Sequence, residues 1–408
     1  MPTVEPQTEV NAEEIFELDS RYVMGTYARR RVVFVRGEGT TLYDSEGRAY
    51  LDFLAGIAVA SVGHCHPRIA EAIAKQAHTL MHVSNLFHNA HQAKLAKRLC
   101  ELTGMERVFF CNSGAEANEA ALKIARKWGK QQRGDNCYEI ITFHGSFHGR
   151  TLGTVTATAQ PKYQKPFEPL VPGFHYAPLN DINAFRALLS ERTCAVMIEP
   201  IQGESGIHPC DPDFLRAVRA LCDEAKVLLI FDEVQCGLGR TGHFLGSQAL
   251  GVQGDIVTLA KGIADGFPMG ACLARGEAAY TLVPGDHGST FAGQPLACAA
   301  ALATLDVLEK EHLMERAAEI GAYFLERLRA LQQAYPNRIK EVRGLGLMVG
   351  VELMQPKARA VLDSLFQQGI VANAIGDSTL RFVPPLVVTK ADCDRVVQAL
   401  QYALQPAL

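Results

Sequence analysis

No CxxC pair occurs among the eleven cysteines of this 408-residue chain. That absence argues against a zinc ribbon or a disulfide framework and fits a reducing compartment, with the cytoplasm as the expectation. Basic excess is missing too. Forty Lys and Arg stand against 44 Asp and Glu, for a net charge of −4. A nucleic-acid binder would normally show a basic face, so no nucleic-acid partner is expected, and Arg29, Arg30 and Arg31 read as a solvated patch. No uninterrupted apolar run approaches the ~20 residues of a membrane span. The opening MPTVEPQTEVNAEE is polar and acidic and has no apolar signal core. Low-complexity segments and internal repeats are also absent. His64, His66, His82, His88 and His91 cluster in sequence, but no HExxH or comparable carboxylate-supported spacing accompanies them, so no metal site is expected.

What is present is an ordinary globular composition, 48% apolar and 21% charged, over a length that calls for two or three domains. After a polar tail, VVFVR, TLYD and YLDFL read as a meander separated by GEG and DSEGR. A helical pattern follows over residues 68–100. Strand and helix then alternate: VFFC, EIITF, CAVMIEP, VLLIFDE, DIVTLAK and GACLA, with helices between several of them. That alternation predicts an α/β fold with a mainly parallel sheet covered on both faces. Residues 295–312 read as a long amphipathic helix leading into a smaller α/β unit, with a last helix capped at Thr389. The expected division is an N-terminal segment, 1–75, that contributes to the small domain, a large domain, 76–304, and a C-terminal small domain, 305–408.

Two strand ends carry the chemistry. VLLIFDEVQCG (residues 227–237) ends an apolar strand in Asp232, and DIVTLAKG (255–262) ends another in Lys261. Ligands in such sheets bind beyond the carboxyl ends of the strands. A buried carboxylate and a buried ammonium both need partners. Pyridoxal 5′-phosphate (PLP) satisfies both, offering a pyridinium to Asp232 and an aldehyde to Lys261. CNSGAEANEAALK (111–123) reads as strand, turn and helix start, with Ser113 and Glu116 as a capping box. The amides of Gly114 and Ala115 there suit a phosphate; an ordinary capped helix is the plainer alternative. In FHGSFHGRT (143–151), Phe147 suits a flat ring and Arg150 a carboxylate, unless they are simply a core aromatic and a surface cation. GLGRTG (237–242) matches GxGxxG literally. It lacks the helix and the acid-terminated second strand of a dinucleotide fingerprint. RGLGLMVG (343–350) is a near miss of the same kind. Ser289 and Thr290 precede a helix, where a hydroxyl either donates to a phosphate or forms a turn.

Taken in order, GHCHP, NSGAEANEAALKIAR, FHGRT, EPIQGESG, FDEVQCGLGRTG, LAKG, HGSTFAGQPLA, RGLGLMVG and LRFVPPL resemble the class III aminotransferases of PLP fold type I. Within that class the resemblance is to the acetylornithine branch, and it runs from about Tyr27 to the C-terminus. The resemblance implies a seven-stranded, mainly parallel sheet in the large domain and a homodimer with shared active sites. Lys261 would carry PLP, Asp232 would pair with the ring nitrogen, and Gln235 would bond the ring hydroxyl. Phe147 and Val234 would sandwich the ring. Ser113, Gly114 and Ala115 would hold the phosphate, with Thr290 reaching the phosphate of the neighbouring subunit. Arg150 and Ser289 would contact N-acetylornithine, Arg381 would take a carboxylate of 2-oxoglutarate, and Glu204 would mask Arg381 while the amine is bound. Implied with these is a step of arginine biosynthesis. Transamination of succinylornithine, ornithine, succinyl-diaminopimelate or 4-aminobutyrate shares the machinery. An NAD-dependent oxidoreductase and a non-catalytic binding protein are the readings from other classes. Ile57 stands where ornithine aminotransferases carry a tyrosine, which weighs against free ornithine, and IADGFP after Lys261 departs from the commoner glycine-rich pattern.

Overall fold

A computed structural model describes residues 10–405, so the first nine residues of the polar opening lie outside the described residues. Seven strands form the central sheet: β1 (Arg107–Cys111), β2 (Glu139–Phe143), β3 (Phe174–Ala177), β4 (Thr193–Ile198), β5 (Leu228–Asp232), β6 (Ile256–Leu259) and β7 (Gly270–Ala274). Their spatial order is β1-β7-β6-β5-β4-β2-β3. The run from β6 to β3 is parallel throughout, whereas β7 is antiparallel to both β6 and β1. β2, β4, β5, β6 and β7 are buried along their whole length, because helices cover both faces. Gly270 opens β7 for a steric reason. A Cβ there would lie 2.4 Å from the carbonyl oxygen of Ser113, so only glycine lets that strand pass under the turn after β1.

The N-terminal meander consists of Phe34–Glu38, Thr41–Asp44 and Ala49–Asp52. Its last strand pairs in parallel with Ile370–Val371, placing the two ends of the chain in one sheet. A second antiparallel sheet runs Ile339–Leu345, Met348–Leu353, Thr379–Phe382, Asn373–Ile375. The first two of these strands form a hairpin that turns at Gly346 and Leu347, inside RGLGLMVG. Three expectations change. Ala12–Tyr22, inside the expected polar tail, is a helix capped by Asn11 with no buried residue. The helical stretch after residue 67 is two helices, Pro67–Ala77 and Ala90–Thr103. Helix Pro295–Lys310 is not amphipathic: apart from a short polar end it is buried nearly all round, packed by Pro67–Ala77, Ala90–Thr103 and the turn after Lys261. Among the described residues no helix is long and apolar enough to cross a membrane.

Candidate active site

Asp232 is the last residue of β5, and Lys261 lies two residues beyond the end of β6, the neighbouring parallel strand. Both line one cavity of about 380 Å³ at the carboxyl edge of the sheet. Ser113, Gly114 and Ala115 enter it from the turn after β1, Phe147 and Arg150 from the loop after β2, and Glu204, Val234 and Gln235 from the loops after β4 and β5. Three expected residues do not line it. Arg381 lies behind Glu204 and Gln235, and Ser289 is one step away. Thr290 is exposed.

Asp232 is buried and firmly held. Its Oδ2 accepts from Asn118 Nδ2 at 2.8 Å and pairs with His148 Nδ1 at 2.7 Å, while Oδ1 accepts the Val234 amide at 3.1 Å. Asn118 is fixed in turn by Thr258 Oγ1 at 2.7 Å and by the His148 carbonyl at 2.7 Å. His148 Nε2 is buried with no partner, which suits a ring that carries its proton on Nδ1 and gives it to Asp232. Sequence reasoning missed both residues. Asn118 lies 114 positions from Asp232, and no local pattern announces such a contact.

Lys261 makes no ion pair among the described residues. Burial pushes its pKa down to about 8, with Arg381 adding to the push and Glu204, Asp232 and Glu199 opposing it. An amine at about 8 is partly neutral near physiological pH, whereas one at the ordinary value is almost wholly charged. Glu199, also missed, follows β4 directly. It is buried, accepts the Phe147 amide at 2.8 Å and the Gly203 amide at 3.1 Å, and burial raises its pKa to about 7. EPIQGESG thus carries two acids of different kinds, Glu199 bracing loops and Glu204 facing a cation.

Glu204 pairs with Arg381 Nη1 and accepts from Gln235 Nε2 at 3.0 Å. Arg381, 1% exposed, also donates to Gln235 Oε1 at 3.2 Å and to Asn373 Oδ1 at 3.0 Å. Burial alone would raise the Glu204 carboxyl, but Arg381 and Lys261 outweigh it and the net shift is downward. Arg150 lies over the Tyr163 ring at 4.0 Å and over Phe147 at 5.4 Å, which leaves its guanidinium exposed at the mouth.

The residues fit PLP on independent grounds. Ser113 Oγ accepts the Glu116 amide at 3.2 Å, while the Glu116 carboxylate reaches the amide of Asn112, one residue before that of a standard capping box. The first two helix amides, of Gly114 and Ala115, have no acceptor among the described residues and border the cavity. A Cβ on Gly114 would lie 2.8 Å from Val234 Cγ1, so any larger residue there has to push Val234 aside. Three of the clustered histidines have other partners. His64 pairs with Asp52, His66 with Glu311 and His91 with Gln76. Among the described residues no group of three His, Cys, Asp or Glu is placed to hold a metal ion. GLGRTG leads into turns and a single short helical turn, and its Arg240 is buried against backbone carbonyls, so the dinucleotide setting is missing.

The model of the aminotransferase class-III family matches residues 24–404. An acetylornithine aminotransferase of Methanocaldococcus jannaschii is 50% identical over 391 residues, covering 96% of this chain and 98% of that one. One from Caldanaerobacter subterraneus is 50% identical over 386 residues, covering 95% and 98%. The crystal structure of ornithine aminotransferase from Toxoplasma gondii superposes with a TM-score of 0.93 at 36% identity, covering 97% of this chain and 95% of that chain. Acetylornithine aminotransferase from Elizabethkingia anophelis gives 0.87 at 34%, covering 97% and 99%. With the family model spanning nearly the whole chain and the two strand-end residues in one cavity, the chain belongs to the class-III aminotransferases.

Proposed function

We propose that the protein transfers the side-chain amino group of N2-acetyl-L-ornithine to 2-oxoglutarate, giving N-acetyl-L-glutamate 5-semialdehyde and L-glutamate, with PLP as cofactor. The supporting observation is the placement of Lys261 and Asp232 on adjacent parallel strands around one cavity. Lys261 would hold PLP covalently, Asp232 would face the ring nitrogen, Gln235 the ring hydroxyl, and Phe147 and Val234 the two ring faces. Ser113, Gly114 and Ala115 would hold the phosphate. Thr290, exposed in the single chain, would reach the phosphate bound by a second copy, so the active unit would be a homodimer. When bound, PLP supplies an aldehyde that carries the amino group and a protonated ring that takes up the electron pair released at the substrate carbon.

The chain's own residues do the rest. Lys261 Nζ, whose pKa is lowered by burial, takes the proton from the substrate carbon. The Asp232 carboxylate, oriented by Asn118 and His148, holds the proton on the ring nitrogen. Arg150 and Ser289 bind the acetylornithine end of the site. Glu204 occupies Arg381 in the first half-reaction and yields it to the second carboxylate of 2-oxoglutarate in the next. Two substrates using one cavity in turn give ping-pong kinetics. The eleven cysteines are all free, in keeping with a cytoplasmic step of arginine biosynthesis.

Free ornithine is the second reading, favoured by the likeness to the Toxoplasma gondii enzyme. Against it stands Ile57, which presents no hydroxyl to a free α-amino group. The test is kcat/KM for acetylornithine, succinylornithine, ornithine and 4-aminobutyrate with 2-oxoglutarate. Acetylornithine should lead; a clear preference for ornithine or 4-aminobutyrate would overturn the assignment.

A further inference from the structure

The turn that presents Lys261 is strained. Lys261 has φ +48° and opens a one-turn 3₁₀ helix, Lys261–Ala264, which Asp265 closes at φ +44°. Two non-glycine residues in the left-handed region bracket a single turn, and such strain persists only where the surroundings hold it. What surrounds it is specific. Asp265 Oδ1 accepts the Val62 amide at 2.9 Å, across 203 residues of sequence. Gly262 passes so close to Ser61 that a Cβ would lie 2.5 Å from its Oγ. The Ser61 carbonyl accepts the Leu386 amide at 2.7 Å, and its Oγ accepts from Arg240 Nη2 at 3.3 Å. Arg240, 1% exposed, donates otherwise, among the described residues, only to the carbonyls of Leu347, at 3.2 Å, and Pro384.

No carboxylate is within ion-pair reach of this guanidinium among the described residues, and burial pushes its pKa down to about 9. The nearest charges that support it are Asp265 and Asp52, the latter paired with His64 at 2.7 Å. Asp265 is in the complementary position. Burial raises its pKa to about 7, against the Val62 amide, His64 and Arg240. The charged groups facing Asp265 are thus His64 from the N-terminal loop and Arg240 from GLGRTG.

We infer that Asp265 is a positioning residue for Lys261: its carboxylate ties the Lys261 turn to the Val62 amide, and Arg240 behind them ties Ser61, the neighbour of Val62, to the hairpin turn at Leu347 and to Pro384, just past the strand that carries Arg381. The inference rests on Lys261 being the residue that takes the cofactor. It gives GLGRTG a use unrelated to nucleotides, since its arginine holds Ser61, against which Gly262 of the lysine turn packs. It also explains why an acid occupies a left-handed position that glycine would fill without strain. Glycine cannot supply the tether.

The test uses cofactor-free protein mixed with PLP. Covalent uptake on the lysine amine, with loss of one water, is followed by absorbance across pH about 6 to 10. Asp265→Ala should slow uptake about tenfold and move its pH midpoint upward, because a relaxed turn lets water reach Lys261. Asp265→Asn keeps an oxygen for the Val62 amide and should bring the rate back to within about threefold of wild type. It should also melt higher than wild type at pH about 8, because the buried carboxylate that resists ionisation is gone. A folded Asp265→Ala with wild-type rate and midpoint overturns the inference, as does Asp265→Asn being as slow as Asp265→Ala. Should Asp265→Ala fail to fold, Asp265→Gly, at ease at this φ, serves the same comparison. A wild-type protein with no covalent uptake at all overturns the Lys261 assignment itself, and the tether's role with it.

Discussion

Replacing Glu204 with glutamine asks whether one arginine serves both halves of the reaction. Arg381 Nη1 is shared between Glu204 and Gln235, and its Nε is committed to Asn373. An incoming carboxylate that uses Nη1 has to displace Glu204. A hydrogen bond to a charged partner contributes about 1.5–3 kcal/mol, and a neutral one about 0.5–1.5. The Glu204 side chain is 22% exposed, so water screening favours the low end of the charged range. Glu204→Gln keeps the shape and trades the strong competitor for the weak one, a difference of about 0.5–1 kcal/mol, or roughly two- to fivefold in affinity. KM for 2-oxoglutarate should fall about two- to fivefold. The first half-reaction should weaken by a similar factor, because the uncovered guanidinium repels the amine substrate. Stability should drop by about 1–2 kcal/mol, less than the 3–5 of a fully enclosed pair, since one side of this pair meets the cavity. Stopped-flow absorbance reads each half-reaction separately, and denaturant titration reads the stability. An unchanged KM for 2-oxoglutarate in a variant destabilised as expected would mean that Arg381 receives no substrate carboxylate.

Four further outcomes are expected. Lys261→Ala should take up no PLP covalently, as judged by mass spectrometry after borohydride reduction; a stable adduct elsewhere would reassign the lysine. In the cofactor-free protein the Lys261 pKa is about 8 against an ordinary 10.5, so the unfolded chain binds the extra proton in that window. Stability should accordingly rise with pH from about 8 to 10.5 in wild type, and Lys261→Ala should lack that rise in pH-dependent melting. Asp232→Asn should retain PLP yet lose about 100- to 1000-fold in kcat, because a neutral amide cannot hold the ring-nitrogen proton; turnover within tenfold of wild type would reject the role. Gly114→Ala puts a methyl 2.8 Å from Val234 Cγ1, so PLP affinity measured by equilibrium dialysis should fall about tenfold, with a stability loss of about 1–3 kcal/mol. Wild-type affinity there would show that Val234 gives way freely.

What was legible in the sequence divides along a physical line. A buried acid at one strand end and a lysine at the next are costly unless chemistry uses them, so Asp232 and Lys261 stood out, and β5 and β6 place them side by side. The strands of the sheet were readable for a related reason, since apolar runs covered on both faces have no polar interruption to hide them. The direction of β7 was not readable, because an antiparallel strand within such a sheet has the same apolar run. The all-round burial of Pro295–Lys310 was not readable either: it depends on three neighbours that come from residues 67–77, 90–103 and 261–264. The same limit hid Asn118, His148 and Glu199. Their role is to hold another residue, and that appears only as a distance. Asp265 extends the point. In sequence it was only part of a departure from a glycine-rich loop pattern. In space its carboxylate meets the Val62 amide, and the loop it alters is the one on which Lys261 stands. A residue's nearness in sequence to a reactive group therefore says little about its bearing on it; what it is bonded to on the far side decides that.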